Sequence, residues 1–93
     1  MMKVIVLYID TQIDFIFPDG KLYVKGAEQI LKNLQLLTDY AHKNNIRIVA
    51  TSDYHTTEDD EISDNPDFIE TFPPHCIIGT EGQKKVKQSE LHN

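Results

Sequence analysis

One cysteine, Cys76, is the only thiol in this 93-residue sequence. An internal disulfide framework is therefore excluded, and a reducing, cytoplasmic setting is the simpler expectation. Long apolar runs are also missing. The opening "MMKVIVLYID" holds a short one, but it meets Asp10 too soon for a membrane span and shows no small-residue cleavage site. Positive charge is scarce: 9 Lys and Arg stand against 15 Asp and Glu, a formal net charge of −6. That sign disfavours a nucleic-acid backbone as partner, so neither nucleic acid nor membrane is expected. There are no internal repeats and no low-complexity tracts. What remains has the composition of an ordinary globular protein, 40% hydrophobic and 26% charged, with room for one small domain.

The acidity is local. Eight of the 15 acids fall between Asp53 and Glu70, whereas "QKKVKQ" near the end is basic. A cluster of this kind is either a solvated loop or a set of carboxylates facing a cation. The segment "TSDYHTTEDDEIS" raises the question sharply, because it sets one histidine among five carboxylates.

Periodicity divides the chain. "KVIVLYID", residues 3–10, is an almost unbroken Val- and Ile-rich run of strand length, as in a parallel sheet buried on both faces. Pro18-Asp19-Gly20 signals a turn, with proline fixing φ and glycine permitting positive φ, and Lys21 to Val24 follow as a short extended piece. Over residues 26–44 the period becomes helical: Ala27, Ile30, Leu31, Leu34, Leu37 and Ala41 share one face. Asn44-Asn45 supplies the stop, since asparagine tolerates the left-handed conformation. "IRIVATSD" then gives a second strand over 46–52. Strand, helix and strand make a right-handed βαβ unit and hence an α/β fold. Residues 53–82 form a long loop region stiffened by Pro73-Pro74, and the basic tail is expected to start a helix or to fray.

Ligands of open parallel sheets bind beyond the carboxyl ends of the strands. Asp10 ends the first strand and Asp53 the second, so two acids from neighbouring strands meet at one edge. Each alone is as readily a cap for the following turn. Asp53 and His55, two apart in extended chain, point to the same side and can reach one divalent ion. Glu61 could loop back as a third ligand and His75 could supply a fourth, a set suited to Zn²⁺, Fe²⁺ or Mn²⁺. His42 and His92 read as solvated. Cys76 is adjacent to His75 and points away from it in extended chain, which argues against a Cys–His nucleophile pair.

The segments "DTQIDF", "PDGKLYVKGAEQI", "TSDYH" and "FPPHCIIGTEG", in that order, resemble the N-terminal half of the isochorismatase-like cysteine hydrolases, and among them the nicotinamidases. The resemblance covers residues 3 to about 82. It implies a Rossmann-like, three-layer fold with a six-stranded parallel sheet, of which residues 1–93 would be the first βαβ portion and the metal loop. It implies that Asp10 is the general base activating a cysteine thiol, and that Asp53, His55 and His75 bind a divalent metal. Glu61 falls where the family places a further ligand, with Glu58 as the fallback. Phe15 matches an aromatic that packs on a pyridine ring, and Phe72 matches one, often tryptophan, that closes the pocket. The implied reaction is hydrolysis of a small-molecule amide, nicotinamide to nicotinate and ammonia, through a thioester on the nucleophilic cysteine.

The sequence departs from the family in one respect. The family triad is Asp, Lys and Cys, and its lysine and cysteine lie downstream of the region matched here. Cys76 matches the cysteine beside the metal histidine, and the lysines at 84, 85 and 87 follow "GTEG" too closely to be the triad lysine. A complementing C-terminal half or self-association into a homo-oligomer is therefore expected, to cover the open sheet. The competing readings are a truncated, catalytically silent metal-binding or interaction protein and an isochorismatase-like hydrolase of another substrate.

Overall fold

The computed structural model describes residues 3–91. Its centre is a parallel pair of strands, β1 (Ile5–Tyr8) and β2 (Arg47–Ala50), in the register Ile5↔Arg47 to Tyr8↔Ala50. Between them run a short helix α1 (Ile13–Ile16), a 3₁₀ turn (Ala27–Ile30) and the main helix α2 (Leu31–Lys43). The expected βαβ unit is present, with each strand shorter than its apolar run and the first helical turn wound as 3₁₀.

Alternation along the strands decides which side chains pack. Val6, Tyr8, Ile48 and Ala50 share one sheet face and meet Leu31 and Leu34 of α2 together with Ile16 and Val86. Each aliphatic fully buried here contributes about 1.5–3 kcal/mol. Helix α2 buries Leu34, Thr38 and Ala41. Thr38 reaches the core because its hydroxyl is satisfied twice, by the Tyr8 hydroxyl at 2.7 Å and by the Gln88 carbonyl at 2.7 Å. Ile30 and Leu37 fall outside the packed stripe and stay exposed, contrary to the helical-face expectation. The helix ends as the sequence indicates. Asn45 adopts φ 54°, and the Ile46 amide turns back to the Ala41 carbonyl at 2.8 Å.

The other sheet face is bare. Ile5, Leu7 and Ile9 are 55–66% exposed and Val49 42%. The molecule measures 49 × 24 × 23 Å with a radius of gyration of 15.0 Å, against about 12 Å for a compact chain of this length.

Three local expectations need correction. Lys21 and Leu22 form a turn and Tyr23–Val24 an irregular stretch rather than a strand, the Leu22 and Val24 amides folding back onto the carbonyls of Asp14 (3.1 Å) and Phe15 (2.8 Å). Gly20 serves that turn through its size: a Cβ there would lie 2.3 Å from the Asp14 carbonyl oxygen. The basic tail, expected to start a helix or to fray, does not fray: it holds the short 3₁₀ turns Glu81–Gln83 and Lys87–Ser89, with a paired stretch between them. Residues 84–86 run antiparallel to 11–13, with Ile13 N–H on the Lys84 carbonyl (3.0 Å) and Val86 N–H on the Thr11 carbonyl (2.9 Å), and Val86 is wholly buried. His42 is half-buried on α2 and has contacts of its own rather than standing in solvent. His92 lies outside the described residues.

Candidate metal centre

The carboxyl ends of both strands open onto one group of polar side chains. Asp10 leaves β1 in the left-handed region (φ 52°), a conformation that aspartate tolerates better than most residues. Its carboxylate Oδ1 accepts the Thr51 hydroxyl at 2.8 Å, and its amide donates to the same Thr51 oxygen at 3.1 Å. The Lys85 ammonium donates to the Thr51 carbonyl. Burial lowers the Lys85 pKa below the ordinary lysine range, against the opposing attraction of Asp10.

Beyond β2, Asp53 is gripped through its backbone by the side chain of Gln12, which is fully buried. Gln12 Oε1 accepts the Asp53 amide at 2.7 Å, while Nε2 donates to the carbonyls of Asp53 (2.9 Å) and Gln83 (2.6 Å). One amide thereby ties the ends of both strands and the returning tail into a single frame. His55 is held by a parallel bridge to Ile77: its N–H meets the Cys76 carbonyl at 3.0 Å and its carbonyl takes the Ile78 amide at 2.9 Å. That bridge brings His75, twenty residues on, beside it.

Asp53, His55 and His75 offer ligand atoms within 4.8 Å of one another, and both imidazoles are buried. Their protonation can be argued from the far side of each ring. His75 Nδ1 lies 2.7 Å from the Pro73 carbonyl, which only accepts, so that nitrogen carries the proton. His55 Nδ1 faces two carboxylates, Asp59 at 3.1 Å and Glu61 at 3.3 Å, and must carry a proton as well. In the neutral tautomers both Nε2 lone pairs then point inward. His55 Nε2 is 2.9 Å from Asp53 Oδ1 and His75 Nε2 is 3.2 Å from Asp53 Oδ2. Electron-rich atoms so placed repel one another unless a proton or a cation lies among them. A divalent ion answers this with one particle, and two imidazoles with one carboxylate match a catalytic site of three protein ligands and an open position. Without metal, burial pulls the His55 pKa down, but the Asp59 hydrogen bond and the charges of Asp53 and Glu61 outweigh it, leaving the pKa raised.

The structure brings Asp53, His55 and His75 together and sets Glu61 apart from them, on the opposite nitrogen of His55. Glu58 is exposed. Phe15 and Phe72 flank His75, with ring centroids 5.6 and 6.4 Å away, and Phe68 stands edge-on to Phe72 at 6.4 Å. Cys76 is wholly buried at φ 49°. Burial, with the charges of Asp14, Asp53 and Asp10, pushes its thiol up to about 12, which favours the neutral thiol and disfavours a role as nucleophile.

Several residues were not singled out from the sequence. Asp14 is buried, and its carboxylate accepts the Lys21 amide at 3.0 Å and the Cys76 amide at 2.7 Å, fixing the backbone next to His75. Gln12, Thr51, Asp59 and Lys85 belong to the same frame. The only signal for two of them was the polar run Asp10, Gln12 and Asp14 directly after the first strand; residue spacing does not predict their shared side, because Asp14 lies in helix α1.

The isochorismatase domain model matches residues 4–91. The nicotinamidase/pyrazinamidase of Mycobacterium tuberculosis is 38% identical over 80 residues, covering 82% of this chain and 40% of that protein. Among solved structures, the nicotinamidase/pyrazinamidase of Bacillus subtilis superposes with a TM-score of 0.76 at 32% identity, covering 95% of this chain and 46% of that one. The pyrazinamidase of Pyrococcus horikoshii, solved in complex with zinc, superposes with a TM-score of 0.71 at 26% identity, covering 88% and 44%. The chain thus spans less than half the length of these relatives.

Proposed function

The chain belongs to the isochorismatase domain family, and from that premise we propose that it supplies the metal-binding and general-base half of a nicotinamidase-type amidohydrolase. The observation that carries this reading is the inward convergence of His55 Nε2 and His75 Nε2 on the two oxygens of Asp53. In this reading Asp53, His55 and His75 would hold a divalent ion (zinc, iron or manganese), which would supply Lewis-acid chemistry and a point of attachment for a heteroaromatic amide. Phe15 and Phe72 enclose the ring of that substrate from either side of His75. Asp10 takes the proton from an attacking thiol. Its carboxylate is oriented for this by Thr51.

The attacking thiol is not Cys76, which is buried and favoured as the neutral thiol. The reading therefore requires a nucleophilic cysteine and the triad lysine from sequence equivalent to the unmatched half of the relatives. Such a segment, or failing that a second copy of the chain, would also cover the bare sheet face. No helix among the described residues is long and apolar enough to cross a membrane.

The test takes the gene product from its own cells, measures its intact mass, and assays the metal-loaded protein for ammonia release from nicotinamide. Ammonia release together with a mass near twice 10.7 kDa supports the reading. A metal-loaded protein of that size releasing none refutes the substrate assignment. Stoichiometric metal without turnover in a 10.7 kDa chain would favour the silent metal-binding alternative, to which the exposed sheet face also lends weight.

A further inference from the structure

We infer that Asp59 is the residue that orients His55 for metal, and that the Thr56–Asp59 turn is built to hold it there; this rests on the metal-site reading above. Two carboxylates compete for the protonated Nδ1 of His55, and they differ in how firmly they are held. Asp59 uses both oxygens: Oδ2 accepts the Thr56 amide and Oδ1 the Thr56 hydroxyl, each at 3.0 Å. The turn is closed a third time by Asp59 N–H on the Thr56 carbonyl at 3.2 Å, and is continued by Ile62 N–H on the Asp59 carbonyl at 3.0 Å. Thr56 directly follows His55, so the chain that carries the imidazole also carries the clamp that sets its partner.

Asp59 Oδ2 stands 3.1 Å from His55 Nδ1 with its side chain 39% exposed, whereas Glu61 Oε1 stands at 3.3 Å with its side chain 53% exposed. Glu61 has a longer, less restrained side chain and more water around it, so it loses more rotamer freedom for a weaker bond. Asp59 needs no further ordering to accept the Nδ1 proton. That bond fixes the tautomer, directs the Nε2 lone pair toward Asp53 and His75, and makes the ring a stronger donor. Carboxylates in this position on metal-bound histidines typically carry a 10–100-fold effect on metal affinity. Asp59 acts through His55 and is a positioning residue.

The test measures Zn²⁺ dissociation constants by chelator competition, and Co²⁺ visible absorption, for wild type, Asp59→Ala, Asp59→Asn and Glu61→Gln. Asp59→Ala is expected to weaken Zn²⁺ by about 10–100-fold and to shift the Co²⁺ bands. Asp59→Asn, which keeps an acceptor oxygen, is expected to restore the band positions and most of the affinity. Glu61→Gln changes affinity by no more than about threefold, as for an exposed pair. Unaltered Zn²⁺ affinity in Asp59→Ala, or a loss confined to Glu61→Gln, overturns the assignment to Asp59. Absence of Zn²⁺ binding in the wild type instead refutes the metal reading on which it stands. Circular dichroism of the metal-free variants separates loss of orientation from loss of fold: an Asp59→Ala defect that merely tracks lost helix would also overturn the inference.

Discussion

Replacing Gly82 by alanine should do damage out of proportion to one methyl group. A Cβ at position 82 would lie 2.1 Å from Asp14 Oδ1 and 2.2 Å from both Cγ and Oδ2. Carbon atoms in contact prefer about 3.5–4.0 Å, so the carboxylate or the backbone must retreat by more than about 1 Å. A side-chain end is ordinarily free to move, but this one is held at 3.0 Å by the Lys21 amide and at 2.7 Å by the Cys76 amide. Retreat breaks at least one of these charge-assisted bonds, worth about 1.5–3 kcal/mol each, and strands the buried Cys76 amide for about 1–3 kcal/mol more. Movement of the backbone instead would strain the Gln12–Gln83 and Ile13–Lys84 contacts. The expected loss is about 3–5 kcal/mol by either route, a large part of the stability of any small domain. Urea unfolding followed by circular dichroism gives the number. Gly79→Ala is the control: unlike Gly82 it sits at φ 84°, and it has nothing within 4 Å of a Cβ, so it should cost only the left-handed strain of about 1–2 kcal/mol. In an Asp14→Ala background, Gly82→Ala should become nearly neutral, because the group it collides with is gone. Equal effects at Gly79 and Gly82, or additivity with Asp14→Ala, would refute the reasoning.

Three further predictions follow from individual groups. Gln12→Leu keeps the volume but strips the Asp53 amide, the Asp53 carbonyl and the Gln83 carbonyl of their shared partner; a loss of about 2–4 kcal/mol in urea unfolding is expected, and under 1 kcal/mol would contradict the frame described. Asp67 accepts the amides of Ile69, Glu70 and Thr71 at 2.8–3.0 Å, which lowers its carboxyl to about 2. A depressed folded value means that its contribution is present above the unfolded pKa and is lost as pH falls through about 2, so carboxyl-carbon NMR should give a midpoint there, and one near 4 would show the loop unformed. Cys76 should resist iodoacetamide at pH 8 until urea unfolds the chain; rapid labelling of the native protein would reverse its exclusion as a nucleophile.

The parts of this molecule legible in the sequence are those that local pattern controls. Unbroken Val-Ile runs gave two strands and a 3.6-residue period gave α2, while Asn45 marked its end through the one conformation asparagine accepts more readily than its neighbours. Asp53, His55 and His75 could be grouped because alternation placed the first pair on one side and the family motif supplied the third. Pairing across long separations was not legible. Nothing in "QKKVKQ" indicates that Val86 is fully buried or that its amide closes on Thr11, since an isolated valine among lysines carries no period. At His55, spacing and the family resemblance together nominated Glu61 as a ligand, and the structure sets its carboxylate 3.3 Å from His55 Nδ1. The clamp between Thr56 and Asp59 depends on a tight turn whose side-chain bonds leave little trace in composition. Ile30 and Leu37 show the converse. They carry a core pattern, yet they stay exposed, at 47% and 41%.

The bare strip of Ile5, Leu7, Ile9 and Val49 has a consequence for the life of the protein in a cell. Among the described residues it lies across two strands that each pair on one side only, and an apolar strip beside open strand edges invites capture by chaperones and proteases. Whatever covers that strip, further residues of the same polypeptide or a second molecule, also conceals it from capture, and a charged substitution at Leu7 would be expected to shorten the protein's lifetime by weakening that cover before it altered any chemistry at the candidate metal centre.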